Sequence, residues 1–178
     1  MALVTLEQFA AYWQRDLSPE DAYTAQMLIG MATDDIQGHC GWHIAPAVTE
    51  TVTVDGSGGS VQALPTLLLT DVVSVTEDGT AVDLDAADVQ WSAAGYLSRA
   101  VPWTRRLRGI TAEIQHGYAV TPPGLVRLLC ELVARSMTKP SGVAREQSGG
   151  ESVAYELAEM TEQELRILDR RYTLESRP

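Results

Sequence analysis

The chain changes hydrophobic period twice. Up to about Gly41 apolar residues recur every three or four positions, from about Val48 they alternate, and from Thr121 the helical spacing returns. Leu6, Phe9, Ala10 and Trp13 predict a short helix starting at Thr5, with Thr5 and Gln8 as a capping box and Val4 stapled onto Phe9. Ser18-Pro19-Glu20-Asp21 predicts the start of a second helix: Ser18 caps, Pro19 suits the first turn, and the two acids complement the helix dipole. Ala22, Ala25, Ile29, Ala32 and Ile36 give it a face of mostly small residues, which permits close packing, and Gly38 or Gly41 ends it.

The alternating region predicts about six short strands. Thr49–Val54 is the first, Asp55-Gly56-Ser57-Gly58-Gly59-Ser60 reads as a flexible turn, and Val61–Leu64 pairs back across it. Val72–Thr76 runs into a hairpin turn at Glu77-Asp78-Gly79-Thr80. Val89–Trp91, Tyr96–Ser98 and Ile110–His116 complete a small sheet or barrel.

After Thr121-Pro122-Pro123, a cap followed by prolines, Leu125, Leu128, Leu129, Leu132 and Val133 form the strongest apolar stripe in the chain, stopped by Lys139-Pro140-Ser141-Gly142. A polar stretch follows, with a strand-like Ser152–Tyr155. Thr161 and Glu164 then make a second capping box, with Met160 stapled onto Leu165 and with Leu165, Leu168 and Tyr172 on one face. The fold class predicted is α+β: a small antiparallel bundle of about four helices, a β-rich insertion between the second and third, and an extended C-terminal arm plus helix. The parts are 1–46 (helical), 47–118 (β-rich insertion), 119–140 (core helix) and 141–178 (arm and helix).

Charge changes the picture more than composition does. The 178 residues carry a net charge of −11. From Asp16 to Ser98 there is no Lys or Arg against thirteen acids, and twelve of the thirteen basic residues lie from Arg99 onward. Nucleic-acid binders concentrate cations to replace phosphate counterions, so the first half of the chain should repel DNA and anionic lipid. No run approaches the roughly 18 apolar residues of a membrane span, and MALVTLEQF lacks the marks of a secretory signal. Cys40 and Cys130 read as buried thiols of a reducing compartment, with a disulfide as the alternative.

Candidate chemistry is sparse. His39, Cys40 and His43 are the only cluster of metal-ligand types, and zinc needs three or four ligands, with Cys130 as the fourth; the plain reading is a helix end with one buried thiol. Asp83, Asp85 and Asp88 lack the glycine and closing glutamate of a calcium loop. Gly56, Gly58 and Gly59 are followed by neither the lysine nor the helix of a phosphate cradle. Asp34-Asp35 is a carboxylate pair of a common kind. No metal, cofactor or catalytic residue is assigned, and the protein is not expected to be an enzyme. Arg105, Arg106 and Arg108 beside Trp103 suit contact with an acidic surface of a neighbouring copy, a heterologous contact of the kind that closes rings.

In this order the segments resemble the head-to-tail connector adaptor, or head completion, proteins of long-tailed bacteriophages. The motifs are Ile36-x-x-x-Cys40-Gly41-Trp42-x-Ile44, Leu64-Pro65 before a Val-rich strand, Gly95-Tyr96-Leu97-Ser98-Arg99, His116-Gly117-Tyr118 before Pro122-Pro123, and Gly142-Val143-x-Arg145-Glu146-x-x-Gly149. The last leads through Ser152-Val153-x-Tyr155 to a Thr161-initiated helix ending Leu168-Asp169-Arg170-Arg171-Tyr172. The insertion is large beside the nearly all-helical smallest members.

The resemblance implies a structural virion protein of the neck, assembled in the host bacterial cytoplasm. It implies a ring, dodecameric in the family, under the portal protein, joining the stopper or tail and extending a channel for double-stranded DNA. It points to portal docking by Glu151, Ser152, Val153, Tyr155, Leu165, Leu168, Arg171 and Tyr172, with Ser152–Tyr155 adding a strand to a portal edge. Glu20, Asp21, Asp34 and Asp35 would line the lumen, where carboxylates hold no phosphate, or meet Arg105, Arg106 and Arg108 of a neighbour. Alternatives are a stopper or tail-completion protein, a metal-assisted hydrolase, and an oligomerising or carbohydrate-binding module built on the strands.

Overall fold

Helix spacing at both ends and strand spacing between them produce a mixed α+β fold in the computed structural model, which describes residues 2–138 and 157–174. The described elements are α1 (Leu6–Trp13), α2 (Pro19–Cys40), β1 (Val48–Val54), β2 (Val61–Ala63), β3 (Leu69–Glu77), β4 (Thr80–Val82), β5 (Gln90–Ser92), β6 (Tyr96–Ser98), β7 (Ile110–His116), α3 (Pro123–Thr138) and α4 (Glu162–Arg171). They fall into two compact units: Met1–Cys40 with Thr121–Thr173, and Gly41–Val120 with Leu174–Pro178. The stretch Lys139–Glu156, which includes the strand-like Ser152–Tyr155, lies outside the described residues.

In the helical unit, α2 packs against α1, α3 and α4. The small residues of α2 do what their spacing predicts: Ala25, Ile29, Ala32 and Ile36 are fully buried. So are Leu125, Leu129, Leu132 and Val133 of α3. The Thr5/Gln8 and Thr161/Glu164 capping boxes both form, and the Ser18 hydroxyl accepts the Asp21 N–H at 3.1 Å. Gly41, at φ +77°, follows the last residue of α2 in the left-handed conformation that favours glycine. Thr121 does not cap α3. Pro122 and Pro123 have no N–H to offer it, and its hydroxyl instead donates to the Leu3 carbonyl at 2.6 Å.

The β unit begins at Gly41, ahead of the change of period, because Trp42 and Ile44 belong to it: Tyr118 N–H donates to the Ile44 carbonyl at 2.8 Å. Two antiparallel sheets, β1-β7-β3-β4 and β2-β6-β5, share one apolar core that includes Leu64, Leu97, Trp103, Ile110 and Ile114. The expected pairing of Val61–Leu64 back onto β1 does not occur. β1 pairs with β7, Val48 opposite His116 through Val54 opposite Ile110, and β2 pairs with β6. The hairpin at Asp78-Gly79 forms as its sequence demands, both residues at positive φ.

β3 buries Leu69, Val72 and Val75, a spacing of three that suits a helix better than a strand. The register against β7 slips between Leu69 and Asp71 and again between Val72 and Ser74. Each bulge inserts one unpaired residue and returns the next apolar side chain to the core face.

The glycine-rich turn is not a loose connection. Gly56 N–H donates to the Arg106 carbonyl at 2.9 Å, Gly58 N–H to the Thr104 carbonyl at 3.0 Å, and Trp103 N–H to the Gly59 carbonyl at 2.8 Å. Buried Gln62 ties the turn from behind, accepting from Ser57 N–H at 2.8 Å and donating to the Asp55 carbonyl at 3.0 Å. A Cβ on Gly56 would sit 2.1 Å from the Thr104 carbonyl oxygen, whereas one on Gly59 would meet nothing within 4 Å. Gly56→Ala is therefore expected to destabilise the protein by about 1–3 kcal/mol, and Gly59→Ala by no more than about 0.5 kcal/mol. Urea unfolding of the two variants beside the parent measures the difference, and equal midpoints would contradict the close approach.

Candidate assembly surfaces

Two short runs of polar and apolar residues fix the C-terminal helix to its unit. Arg135 of α3 donates from both terminal nitrogens to Glu164 of α4, at 3.1 and 3.0 Å, and also to the Glu159 carbonyl at 3.1 Å. The same Glu164 carboxylate accepts the Thr161 N–H at 2.6 Å, so one side chain caps α4 and docks it. Burial alone would raise the Glu164 pKa, but hydrogen bonds from Arg135 and Thr161, with the arginine's charge, hold it below the ordinary glutamate value. Ser136 accepts the Ala158 N–H at 2.9 Å, and Asp169 of α4 meets His39 of α2 at 2.7 Å.

This placement bears on the residues expected to dock on a portal. Leu168 and Tyr172 are buried and Leu165 is half-buried within the helical unit. Arg171 is exposed, together with Arg166, Ile167 and Arg170. Glu151, Ser152, Val153 and Tyr155 lie outside the described residues.

The candidate inter-subunit or lumen acids divide by their position on α2. Glu20, Asp34 and Asp35 are exposed and make no ion pair among the described residues. Asp21 instead accepts the Ser18 hydroxyl at 2.7 Å. Glu20, Tyr23, Met27, Met31, Asp34 and Gly38 follow one another at intervals of three or four, with Asp35 beside Asp34, so they form one stripe. Tyr23 is 72% exposed and Met31 is exposed too. Sequence pattern alone missed this stripe, because the reading followed the buried alanines on the opposite side.

Arg105, Arg106 and Arg108 stand together on the loop before β7. All three are exposed and make no ion pair among the described residues. Their backbone is fixed at many points: Thr104 N–H donates to Glu77 at 2.6 Å and Arg108 N–H to Asp55 at 2.7 Å, with Arg108 itself at φ +52°. Between them Leu107 is 75% exposed. The expected proximity to Trp103 takes an unexpected form, because Arg99, not the cluster, covers that ring, its guanidinium 3.8 Å from the centroid.

The metal-type residues do not converge. His39 faces Asp169, the His43 ring nitrogen meets the Pro46 carbonyl at 2.6 Å, and both cysteines are buried free thiols. Burial raises each thiol to about 11, so both stay protonated and are poor ligands at neutral pH. Among the described residues no group of three or more His, Cys, Asp or Glu is placed to hold a metal ion. Asp83 serves its own turn, accepting the Asp85 and Ala86 N–H groups at 3.2 and 3.0 Å. Among the described residues no helix is long and apolar enough to cross a membrane.

His116, at the end of β7, is fully buried beside the Trp42 and His43 rings, with Nε2 2.9 Å from Glu50. Burial lowers its pKa, the Glu50 charge and hydrogen bond oppose that, and His43 adds to the lowering; the net direction is down. Its Nδ1 has no partner among the described residues, which fits a neutral ring donating from Nε2 to Glu50. A protonated ring would bury a second N–H with nothing to accept it.

Comparison with known proteins gives a fold relationship. No protein-family model matches the chain, and no curated protein does. Among solved structures, a chain in the virion of a native gene transfer agent particle is similar over 96% of this chain and 89% of its own, with a TM-score of 0.57 and 13% identity. A chain in the neck of the empty gene transfer agent particle, computed with C6 symmetry, is similar over 86% of this chain and 84% of its own, with a TM-score of 0.55 and 14% identity. A third, in the neck of the native particle computed with C12 symmetry, covers 86% of this chain and 87% of its own, with a TM-score of 0.50 and 13% identity. At these identities the likeness is one of fold.

Glu164→Gln is expected to cost about 1.5–3 kcal/mol, the range for charge-assisted hydrogen bonds, because the partner arginine is 32% exposed and keeps part of its solvation. Glu164's contribution is complete above the ordinary glutamate pKa and is lost as pH falls through its lower folded-state value. For His116 the unfolded chain takes up the proton first on acidification. Its contribution is complete above about pH 6.5 and is lost as pH falls through the folded-state value. Thermal melts from pH 7.5 to 5 should therefore show a shallower acid loss in His116→Gln than in the parent; parallel curves would refute the neutral buried ring.

Proposed function

We infer that the protein is a structural subunit of the neck of a phage-like particle, and within the neck an adaptor. Copies would form a ring, closed by heterologous contacts, that sits beneath the portal, joins the stopper or tail, and carries the DNA channel forward. The observation that carries this reading is the fold likeness, over nearly the whole length of both chains, to a chain of the gene transfer agent virion. The neck chains extend it, one of them from a particle computed with twelvefold symmetry.

The role is mechanical and not catalytic. A subunit of this kind must hold a ring together and let duplex DNA pass without gripping it. The charge distribution suits both tasks: Lys and Arg are absent from Asp16 to Ser98, so α2, which lies wholly within that stretch, offers phosphate neither. The arginines of the loop before β7, with Arg170 and Arg171 of α4, are exposed and make no ion pair among the described residues, so they can meet protein. Docking on the portal would fall to the C-terminal segment, residues Glu151, Ser152, Val153 and Tyr155 with Arg171. Leu165, Leu168 and Tyr172 would set the position of α4 from within.

Mixing the protein with purified portal of its own particle and imaging by negative stain tests the reading. Annular complexes with the protein added beneath the portal are the expected result, and replacing Glu151, Ser152, Val153 and Tyr155 together by glycine should abolish them. Persistent unbound monomers with the cognate portal would overturn the adaptor role.

A further inference from the structure

The loop before β7 and the outer stripe of α2 are complementary surfaces, each left without a partner among the described residues. The loop presents Arg105, Arg106 and Arg108 around exposed Leu107. The stripe presents Glu20, Asp34 and Asp35 around Tyr23, Met27 and Met31. We propose that the Arg105–Arg108 loop of one copy seats on the α2 stripe of the next, Leu107 against Tyr23 and Met31, with the arginines on Asp34, Asp35 and Glu20. The contact rests on the ring reading and names the surfaces through which the ring closes.

Three observations favour a second copy as the occupant. First, charge matches charge: three cations and three carboxylates each lack an ion-pair partner among the described residues, and the stretch Asp16–Ser98 that carries the stripe holds no Lys or Arg of its own. Second, each surface has an exposed apolar centre. A DNA-facing wall has no use for Tyr23, and a phosphate-binding loop has none for Leu107. Third, the loop is prepared for contact. Gly58 lies beneath the Arg105 side chain, where a Cβ would come within 2.3 Å of its Cγ. Glu77, Asp55, Gly56 and Gly58 fix the backbone on both sides. Ordering such a loop costs little on docking, because its conformation is set beforehand.

Gly30 and Gly38 of α2 add to this. Both sit inside the helix, and a Cβ on either would meet nothing within 4 Å. A helix-interior glycine is disfavoured relative to alanine, and among the described residues nothing requires one at either place. A closely packed neighbouring copy would.

The test traps the contact as a disulfide. Leu107→Cys and Tyr23→Cys full-length variants, one tagged, are mixed and oxidised at low salt; Cys40 and Cys130 are buried and do not compete. The hetero-linked dimer should form about tenfold or more faster than the control pair Leu107→Cys with Val120→Cys, the low end of electrostatic steering, and high salt should remove the difference. Arg105→Glu/Arg106→Glu in the Leu107→Cys partner should abolish the advantage. Placing Asp34→Arg/Asp35→Arg in the Tyr23→Cys partner should then restore it, a rescue that misfolding cannot produce. Equal rates for test and control pairs overturn the proposal. So does a result in which Arg105→Glu/Arg106→Glu weakens binding to duplex DNA in fluorescence anisotropy and leaves cross-linking unchanged. Portal annuli that form normally with both charge-reversed variants remove this contact and leave the neck reading standing. Absence of annuli with the parent protein removes the neck reading instead.

Discussion

The carboxylate of Glu77 is where the long-range contacts of the β unit meet. It ends β3, receives the Arg99 guanidinium at 2.7 and 2.9 Å, and accepts the Thr104 N–H at 2.6 Å. Arg99 in turn donates to the Val101 and Pro102 carbonyls and places its guanidinium over the buried Trp103 ring. Arg99 is buried and Glu77 half-buried, and a charge withdrawn from water this way survives only when its remaining donors and acceptors are satisfied. Here the loop's own carbonyls satisfy them, which forces residues 99–104 into one path. Removing Glu77 leaves the buried Arg99 charge without its carboxylate, a loss of up to about 3–5 kcal/mol.

The rest of that unit's irregular chain follows from the same anchor. With Trp103 and Thr104 fixed, the Gly56–Gly59 turn can hydrogen-bond along them, which no residue with a Cβ at Gly56 or Gly58 would allow. Arg106 then accepts from Gly56, Arg108 from its backbone reaches Asp55, and the arginines project outward. A surface that looks like a chance cluster of cations is thus held by buried chemistry.

The helical unit solves its docking problem in the same manner on a smaller scale. Glu164 is called for twice, as the third residue of a capping box and as the partner of Arg135. The first role is written in the local sequence, Thr161-x-x-Glu164. The second links helices far apart in the chain, and no local rule announces it.

What the sequence determined by itself is everything that depends on neighbours within a few residues. Both capping boxes, the Asp78-Gly79 hairpin, the buried faces of α2 and α3, and the α+β order of elements come from side-chain spacing and turn chemistry, which act at short range. Tertiary structure alone decided what depends on partners distant in sequence. It sent β2 to β6 instead of β1, used bulges to turn a spacing of three in β3 into one buried face, and made a glycine run a bonding platform. It also placed Thr121 on Leu3 and left Tyr23, Met31 and Leu107 outside the core. The physical reason is common to all of these: a hydrogen bond or a buried pair forms only where the folded chain brings its two ends together, and composition cannot say which ends those are.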